Sequence, residues 1–177
     1  MANYSPSTIA RIADLRNGML VQTASELAYT AWGTAQAYLF TVYNRIIIEA
    51  LWLEVGVTTL GAAGASTLKF NWKASVPVIT VQDISAASAD TAAMVTGRRV
   101  SLAGTSITTG LSVNGSAGIS VTGSAARIVV GLAPQAGVTS VSQIGCLYGT
   151  TALNAGTGQF TLLYTPIDPG AYVEALL

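Results

Sequence analysis

Acidic side chains are the first candidates for chemistry in this sequence, because it contains no histidine and one cysteine, Cys146. Two carboxylates that cleave a glycosidic bond must face each other at roughly 5–10 Å. Glu49 and Glu54 would instead lie on opposite faces of a strand, because they are five positions apart and side chains alternate between the two faces. Asp83 and Asp90 are close in sequence but flank a loop. We therefore find no pair of carboxylates suited to catalysis and expect a protein that is not an enzyme.

Other reactive arrangements lack a residue that they need. Serine is abundant, but the sequence offers no histidine base to activate it. The glycine-rich stretch GAAGAS, residues 61–66, lacks the Lys-Ser/Thr pair of a phosphate-binding loop. Cys146 alone can form neither an intramolecular disulfide nor a thiolate cluster, and we expect it to be a small buried hydrophobe. Calcium needs clustered carboxylates, so the sequence predicts no metal and no cofactor.

The composition indicates a neutral protein that associates with other protein surfaces. Of its 177 residues 51% are hydrophobic and 9% are charged, and the net charge is zero. A nucleic-acid partner would require a basic stripe, and anionic lipid would attract a basic segment. The most apolar run, IIIEALWLEV, is shorter than the roughly 20 residues of a membrane span. We expect no direct nucleic-acid partner, no membrane partner and no export signal.

Residues 1–35 differ from the rest of the chain and form a separate segment. The stretch STIARIADLRNG could be a short helix, with Ile9, Ile12 and Leu15 at helical spacing and Gly18 as its end. It could equally be an extended arm that reaches a neighbouring subunit. The arm interpretation makes four of its residues candidates for an interface: Ile9, Arg11, Ile12 and Arg16.

From Tyr38 onward the pattern is typical of β-strands. In RIIIEALWLEV both alternating faces are apolar, which predicts a strand covered on two sides by a second sheet or a subunit neighbour. In TLKFNWKA, apolar and polar residues alternate, which predicts a half-buried strand. Asn44 and Arg45 mark a bend. Short β-like runs fill residues 98–132, and Asn114-Gly115 suits a type I′ hairpin turn.

The final twenty residues, GQFTLLYTPIDPGAYVEALL, predict a closing hairpin. Pro166 and Pro169 fix φ, and Gly170 supplies a permissive conformation, so TPIDPGA should be a tight bend. Asp168 can hydrogen-bond back to the backbone of that bend. We expect the last strand to pair back into the sheet or across to a neighbour. Residues 36–177 thus predict one all-β sandwich domain.

Tryptophan and arginine residues complete the set of interface candidates. Trp32 and Trp52 are expected either in the core or as anchors of a subunit interface, and a sugar-stacking platform is the less favoured alternative. Arg98-Arg99 could be a solvated strand end or a contact to an acidic partner surface.

Three stretches of the chain resemble virion structural proteins of tailed bacteriophages. They are YLFTVYNRIIIEALWLEVGVTT with its Asn-Arg turn, TLKFNWKASVPV after a Gly/Ala loop, and the closing GQFTLLYTPIDPGAYVEA. Together they cover roughly residues 38–80 and 157–175. Gln159-Phe160 departs from the Lys-Trp pair expected in that family, and residues 85–150 carry none of its motifs.

The resemblance implies a head decoration, or cement, protein. Its fold would be a single jelly-roll-like β-sandwich with an N-terminal arm or short helix, residues 1–35, that serves as the attachment segment. Such proteins often form homotrimers and brace the outside of an assembled capsid against the pressure of the DNA. The expected partners are copies of the chain and the major capsid protein, with assembly in the host cytoplasm. A tail component that binds a host surface, such as a fibre tip or baseplate piece, and a non-viral binding module remain alternatives.

Overall fold

The computed structural model describes residues 18–76, 78–102, 112–113, 128–134 and 139–177. In this part of the chain nearly all regular structure is β-strand, arranged in antiparallel sheets that pack against each other. The predicted all-β sandwich is therefore confirmed, whereas its assignment as a jelly roll stays a prediction. Several predictions lie outside the described residues, namely those for Ile9, Arg11, Ile12, Arg16 and the Asn114-Gly115 turn.

Sheet A is built around two long antiparallel strands, β4 (Ile46–Val55) and β13 (Thr157–Pro166). Its shorter strands are β1 (Met19–Gln22), β2 (Leu27–Ala28), β8 (Arg99–Ser101), β9 (Ser112–Val113) and β10 (Ile128–Val130). Strands β1 and β2 pair with the outer edge of β13, strands β8 and β10 pair with the far edge of β4, and β9 pairs with β8.

Sheet B faces sheet A across the core. In spatial order its strands are β14 (Tyr172–Ala175), β3 (Gln36–Tyr43), β11 (Val141–Gly149), β6 (Thr67–Val76) and β7 (Val78–Asp83). Two further short strands, β5 (Gly61–Ala62) and β12 (Leu153–Ala155), pair with each other. One 3₁₀ turn, Tyr29–Ala31, precedes β3.

The core lies between the two sheets and is rich in aromatic residues. Phe70 of β6 meets Phe160 of β13 edge-on, with ring centroids 6.4 Å apart. Trp32 packs against the same Phe160 at 5.2 Å and is 1% exposed, and its indole N–H donates to the carbonyl of Leu27 at 3.0 Å. Of the two roles predicted for Trp32, the structure supports the core role. Its proposal as an interface residue is corrected, because its ring is sealed inside the sandwich.

A β-bulge explains why β4 is apolar on both of its alternating faces. Its pairing with β13 shifts between Leu163, opposite Ala50, and Tyr164, opposite Ile48, which leaves Glu49 as the extra residue. One extra residue reverses which side chains point inward. The buried set therefore changes from even to odd positions: Ile46 and Ile48, then Leu51, Leu53 and Val55. Coverage on both sides, which the sequence predicted, is not what this chain provides by itself.

The predicted closing hairpin is instead an arch between the two sheets. Strand β13 belongs to sheet A, whereas β14 pairs with β3 in sheet B. Strands β3 and β4 are joined in the same way across the sandwich by Asn44 and Arg45, and Asn44 has a φ of 60°. A short turn has similar local geometry whether its strands pair or separate, so the sequence signal was correct for the bend and wrong for the pairing. The last strand does pair back into the protein, as expected.

Hydrogen bonds join the two arches at one end of the sandwich. The Asp168 carboxylate accepts from the backbone N–H of Arg45 at 3.1 Å and from its guanidinium at 2.6 and 3.0 Å. The Ile167 N–H donates to the Arg45 carbonyl at 3.0 Å. Ala171 closes a tight turn onto the Asp168 carbonyl at 3.0 Å, with Gly170 at a φ of 74°. The expected tight bend is confirmed, and its aspartate binds the neighbouring arch.

The boundary predicted between residues 35 and 36 does not mark the start of the sandwich. Strand β1 pairs along its whole length with β13, and Trp32 lies in the core. Residues 19–35 are therefore part of the sandwich wherever they pair with β13 or enter the core. The attachment role predicted for residues 1–35 stays a prediction, and residues 1–17 of that segment lie outside the described residues.

Candidate functional site

The acidic side chains of the described residues are engaged in structural contacts. No three His, Cys, Asp or Glu side chains among these residues gather closely enough to hold a metal ion. Their partners are Val57 N–H and Thr157 for Glu26, Thr165 for Glu49, Arg99 for Glu54, Lys69 for Asp83, Ser66 N–H and Ala92 N–H for Asp90, Arg45 for Asp168, and Tyr43 for Glu174.

Two acidic residues, Glu26 and Glu54, line a shallow cavity of about 170 Å³ together with residues that include Gln159. Glu26 has a φ of 57° and accepts from the Thr157 hydroxyl and, at 2.9 Å, from the Val57 N–H. These hydrogen bonds lower the pKa of Glu26. Glu26 is thereby stabilised as a carboxylate, so it is not prepared to donate a proton near neutral pH. Glu54 is bound to Arg99 at 2.7 Å.

Cys146 is a core residue, as the sequence predicted. It is fully buried, and its Sγ lies 3.7 Å from the carbonyl oxygen of Trp32. Burial strongly raises the pKa of this thiol and also that of the neighbouring Tyr148. Because the thiolate is the reactive form, Cys146 is not a nucleophile in the folded chain.

The outer face of sheet A carries a row of apolar side chains that face away from the core. Direct pairing places Leu20 beside Leu163 and Leu163 beside Ala50, and it places Val129 beside Ile47. The set, named here the sheet A patch, consists of Leu20, Ile47, Ala50, Trp52, Val129 and Leu163. Leu20 is 59% exposed and Val129 is 51% exposed, and the other four are half-buried. The patch spans four adjacent strands.

Two of the predicted interface residues meet at the edge of this patch. The Arg99 guanidinium lies 5.5 Å from the centre of the Trp52 ring and 2.7 Å from the Glu54 carboxylate. Arg98 precedes β8, and its carbonyl accepts the Val55 N–H at 2.8 Å. Trp52 and Arg99 are therefore neighbours on one surface, whereas Trp32 is in the core. Arg99 is the first residue of β8.

The outer face of sheet B carries more polar side chains, together with the stacked rings of Tyr43 and Tyr172, whose centroids are 4.3 Å apart. Lys73 lies 3.9 Å from the centre of the Tyr38 ring, and Lys69 pairs with Asp83 at 2.7 Å. Gln36 and Asn71 exchange two amide hydrogen bonds of 2.9 and 2.7 Å. The side chains of each pair satisfy one another, and Lys69 and Asp83 are partly exposed to water, whereas Asn71 is buried. The two outer faces of the sandwich differ in character, and the sheet A patch is the one that suits a protein contact.

Sequence reasoning named one of the six patch residues, Trp52, as an interface candidate. Leu20 was assigned to the N-terminal segment, and Val129 lies in a Gly/Ser-rich region that was interpreted as short strands. The alternation in ARIVV contains a usable signal, because Val130 is buried and Val129 points outward. The bulge at Glu49 has no such local signal, although it decides which residues of β4 face outward.

Comparisons of the chain with protein-family models, with curated proteins and with solved structures find no match. Among the described residues, no helix is long and apolar enough to cross a membrane.

Proposed function

We propose that the chain is a structural protein of a tailed-phage virion, which decorates and stabilises the capsid. The observation that carries the proposal is the sheet A patch, because contiguous exposed apolar side chains mark interaction surfaces. The resemblance within residues 38–80 and 157–175 suggests the partners. These are the major capsid protein and further copies of the chain, as a homotrimer with a jelly-roll-like fold on the capsid exterior.

The mechanism is mechanical and involves no substrate. A protein that braces a shell must resist sliding of its own layers. The Asp168–Arg45 contacts tie one arch to the other, and the Asn44 side chain also accepts the Ser140 N–H at 3.1 Å. The interlocked rings of Phe70 and Phe160 join the sheets from within. These contacts support a load-transmitting role, and the zero net charge fits a protein without a nucleic-acid or membrane partner.

A capsid co-sedimentation experiment tests this proposal. Capsids that lack the chain are mixed with purified chain, and the bound fraction is measured. We expect saturable binding that Val129→Lys weakens at least about tenfold, because a lysine charge in an apolar contact loses its hydration. Gln143→Lys is the matched control, because Gln143 lies on the outer face of sheet B.

The control should bind as the unmodified chain does. If capsids retain no chain, the assignment to the head fails. Equal weakening of capsid binding by both lysine variants would show that the sheet A patch is not the surface that contacts the capsid.

A further inference from the structure

Two tyrosine rings are stacked on the outer face of sheet B. Tyr43 of β3 and Tyr172 of β14 lie directly opposite each other in the pairing of the two strands. Their ring centroids are 4.3 Å apart and their planes differ by 14°. Nearly parallel rings at this separation are in van der Waals contact, with about 3.5–4 Å between facing carbons. The pair is open to solvent, because Tyr172 is 42% exposed and Tyr43 is half-buried.

The phenol groups of the two rings lie at the same end of the stack. Directly opposed residues of paired strands project from the same face of a sheet. The Tyr43 hydroxyl donates to the Glu174 carboxylate at 3.1 Å. This hydrogen bond raises the pKa of Tyr43, with smaller contributions in the same direction from burial and from the Tyr172 phenol. The ring carbons next to the two hydroxyls, the ortho carbons, are therefore neighbours across the stack.

The Glu174 carboxylate is placed to receive the phenol proton of Tyr43. A phenol that loses an electron becomes a strong acid, and a carboxylate within hydrogen-bond distance takes up its proton. Glu174 is itself exposed, so it can pass the proton to water. The hydrogen bond thus favours Tyr43 as the first ring of the pair to be oxidised.

Three other tyrosines are less suited to oxidation. Tyr148 and Tyr164 are buried in the core. The ring of Tyr38 lies 3.9 Å from the Lys73 ammonium. That positive charge opposes the loss of an electron from the ring.

We propose that Tyr43 and Tyr172 form a site of oxidative cross-linking, at which a one-electron oxidant joins them as dityrosine within one chain. Two successive oxidations remove one electron from each phenol, and each phenol releases its O–H proton, that of Tyr43 to Glu174. The two phenoxyl radicals join through one carbon–carbon bond between ortho carbons. The hydrogen on each of those carbons then moves to a phenol oxygen. The product has two hydrogen atoms fewer than the chain, and the oxidant, a high-valent metal complex, takes up two electrons.

The cross-link would fasten the last strand of the sandwich. Strand β14 is four residues long and lies at the edge of sheet B, next to β3. Terminal elements are among the first parts of a fold to open, and a bond to Tyr43 holds this strand on the sheet. The inference concerns the isolated chain and does not depend on the proposed virion function, so either can fail without the other.

Photo-oxidation of the full-length chain by ruthenium tris(bipyridyl) and persulfate tests the site. The chain is kept at low concentration so that encounters between chains are rare. Intact mass detects the loss of two hydrogens, and peptide mapping identifies the linked tyrosines. Tyr172→Phe keeps a stacked ring without its hydroxyl, and Tyr38→Phe is the matched control on the same face. Circular dichroism verifies that each variant is folded.

We expect a Tyr43–Tyr172 cross-link in the unmodified chain and in Tyr38→Phe. Tyr172→Phe should form dityrosine within one chain at least about tenfold more slowly, and so should the unmodified chain in urea, because the fold no longer holds two phenols together. Absence of the Tyr43–Tyr172 link from the folded unmodified chain would overturn the proposal. An equal rate in Tyr172→Phe, or a product that mainly joins two chains, would overturn it as well.

Glu174→Gln tests the proton acceptor. Glutamine keeps an acceptor oxygen but does not take up a proton near neutral pH. We expect cross-linking to slow at least about threefold, with the same two tyrosines joined. Glu49→Gln makes the same change of charge on the outer face of sheet A and should leave the rate unchanged. An unchanged rate in Glu174→Gln would overturn the assignment of Glu174 as the acceptor.

Discussion

Asp168→Asn tests whether the hydrogen bonds between Asp168 and Arg45, which join the two arches, stabilise the sandwich. The substitution keeps the size of the side chain and one acceptor oxygen. It replaces the other oxygen with an NH₂ group that faces the donors of Arg45. In the native chain the carboxylate accepts from the Arg45 backbone N–H and from Nε and Nη2 of its guanidinium, at 2.6–3.1 Å. The variant therefore loses contacts that connect residues 123 positions apart in sequence.

The size of the effect follows from the burial of the two partners. The Asp168 side chain is 9% exposed, whereas that of Arg45 is 41% exposed. A hydrogen bond to a charged group contributes about 1.5–3 kcal/mol, and water at the exposed arginine replaces part of it. We expect the free energy of unfolding to fall by about 1–2 kcal/mol. For a chain of this length that lowers Tm by roughly 2–8 °C.

The pH dependence has a defined sign. Hydrogen bonds from the Arg45 side chain hold the pKa of Asp168 below its ordinary value of 3.8. As pH falls, the unfolded chain takes up this proton before the folded chain does. The stabilisation is therefore fully present above about pH 4 and is lost as pH falls through the lower, folded-state pKa. The stability difference between the unmodified chain and Asp168→Asn should shrink only below about pH 4.

Urea unfolding followed by circular dichroism, at several pH values, measures this difference. Asp83→Asn is the matched control, since Asp83 pairs with Lys69 through side chains that are 48% and 31% exposed. We expect the control to change stability little at any pH. Equal effects of the two variants at neutral pH would refute the reasoning that the buried arch contact matters more than a surface ion pair.

Three further predictions follow from the packing. Cys146 should not react with a thiol reagent in the native chain, because burial raises its pKa, and it should react once urea unfolds the protein; native labelling would contradict this. Gly131→Ala should destabilise the chain by about 1–3 kcal/mol, because Gly131 has a φ of 90° and a β-carbon would collide with the Asn44 carbonyl. Phe160→Ala should cost about 3–5 kcal/mol, because its ring contacts both Trp32 and Phe70; a loss under about 1 kcal/mol would contradict its central place in the core.

Local patterns in the sequence predicted the features that depend on neighbouring residues. The alternation in TLKFNWKA correctly indicated a strand with Leu68 and Phe70 inside. Proline and glycine correctly indicated the tight turn that contains Gly170. In both cases the side-chain period or the backbone requirement is fixed within a few residues.

Features that depend on distant pairing could not be predicted in this way. The bulge at Glu49 exists because β4 must match β13, which lies more than a hundred residues later. The segment after Pro166 is an arch because β14 pairs with β3, and it would be a hairpin if β14 paired with β13. A short stretch of sequence does not fix that choice. The sheet A patch combines residues from β1, β4, β10 and β13, so no single stretch of sequence contains it. The candidate site was therefore found in part, through Trp52 and Arg99.

Quantitative mass spectrometry of purified virions tests the proposed function most directly. The copy number of the chain is measured relative to the major capsid protein, with isotope-labelled peptides of both as standards. A decoration protein follows the symmetry of the shell, so the account predicts a ratio between about one to one and about one to a few. A handful of copies per particle would contradict placement on the head and favour a tail component. Absence from the virion would contradict a structural role in the particle altogether.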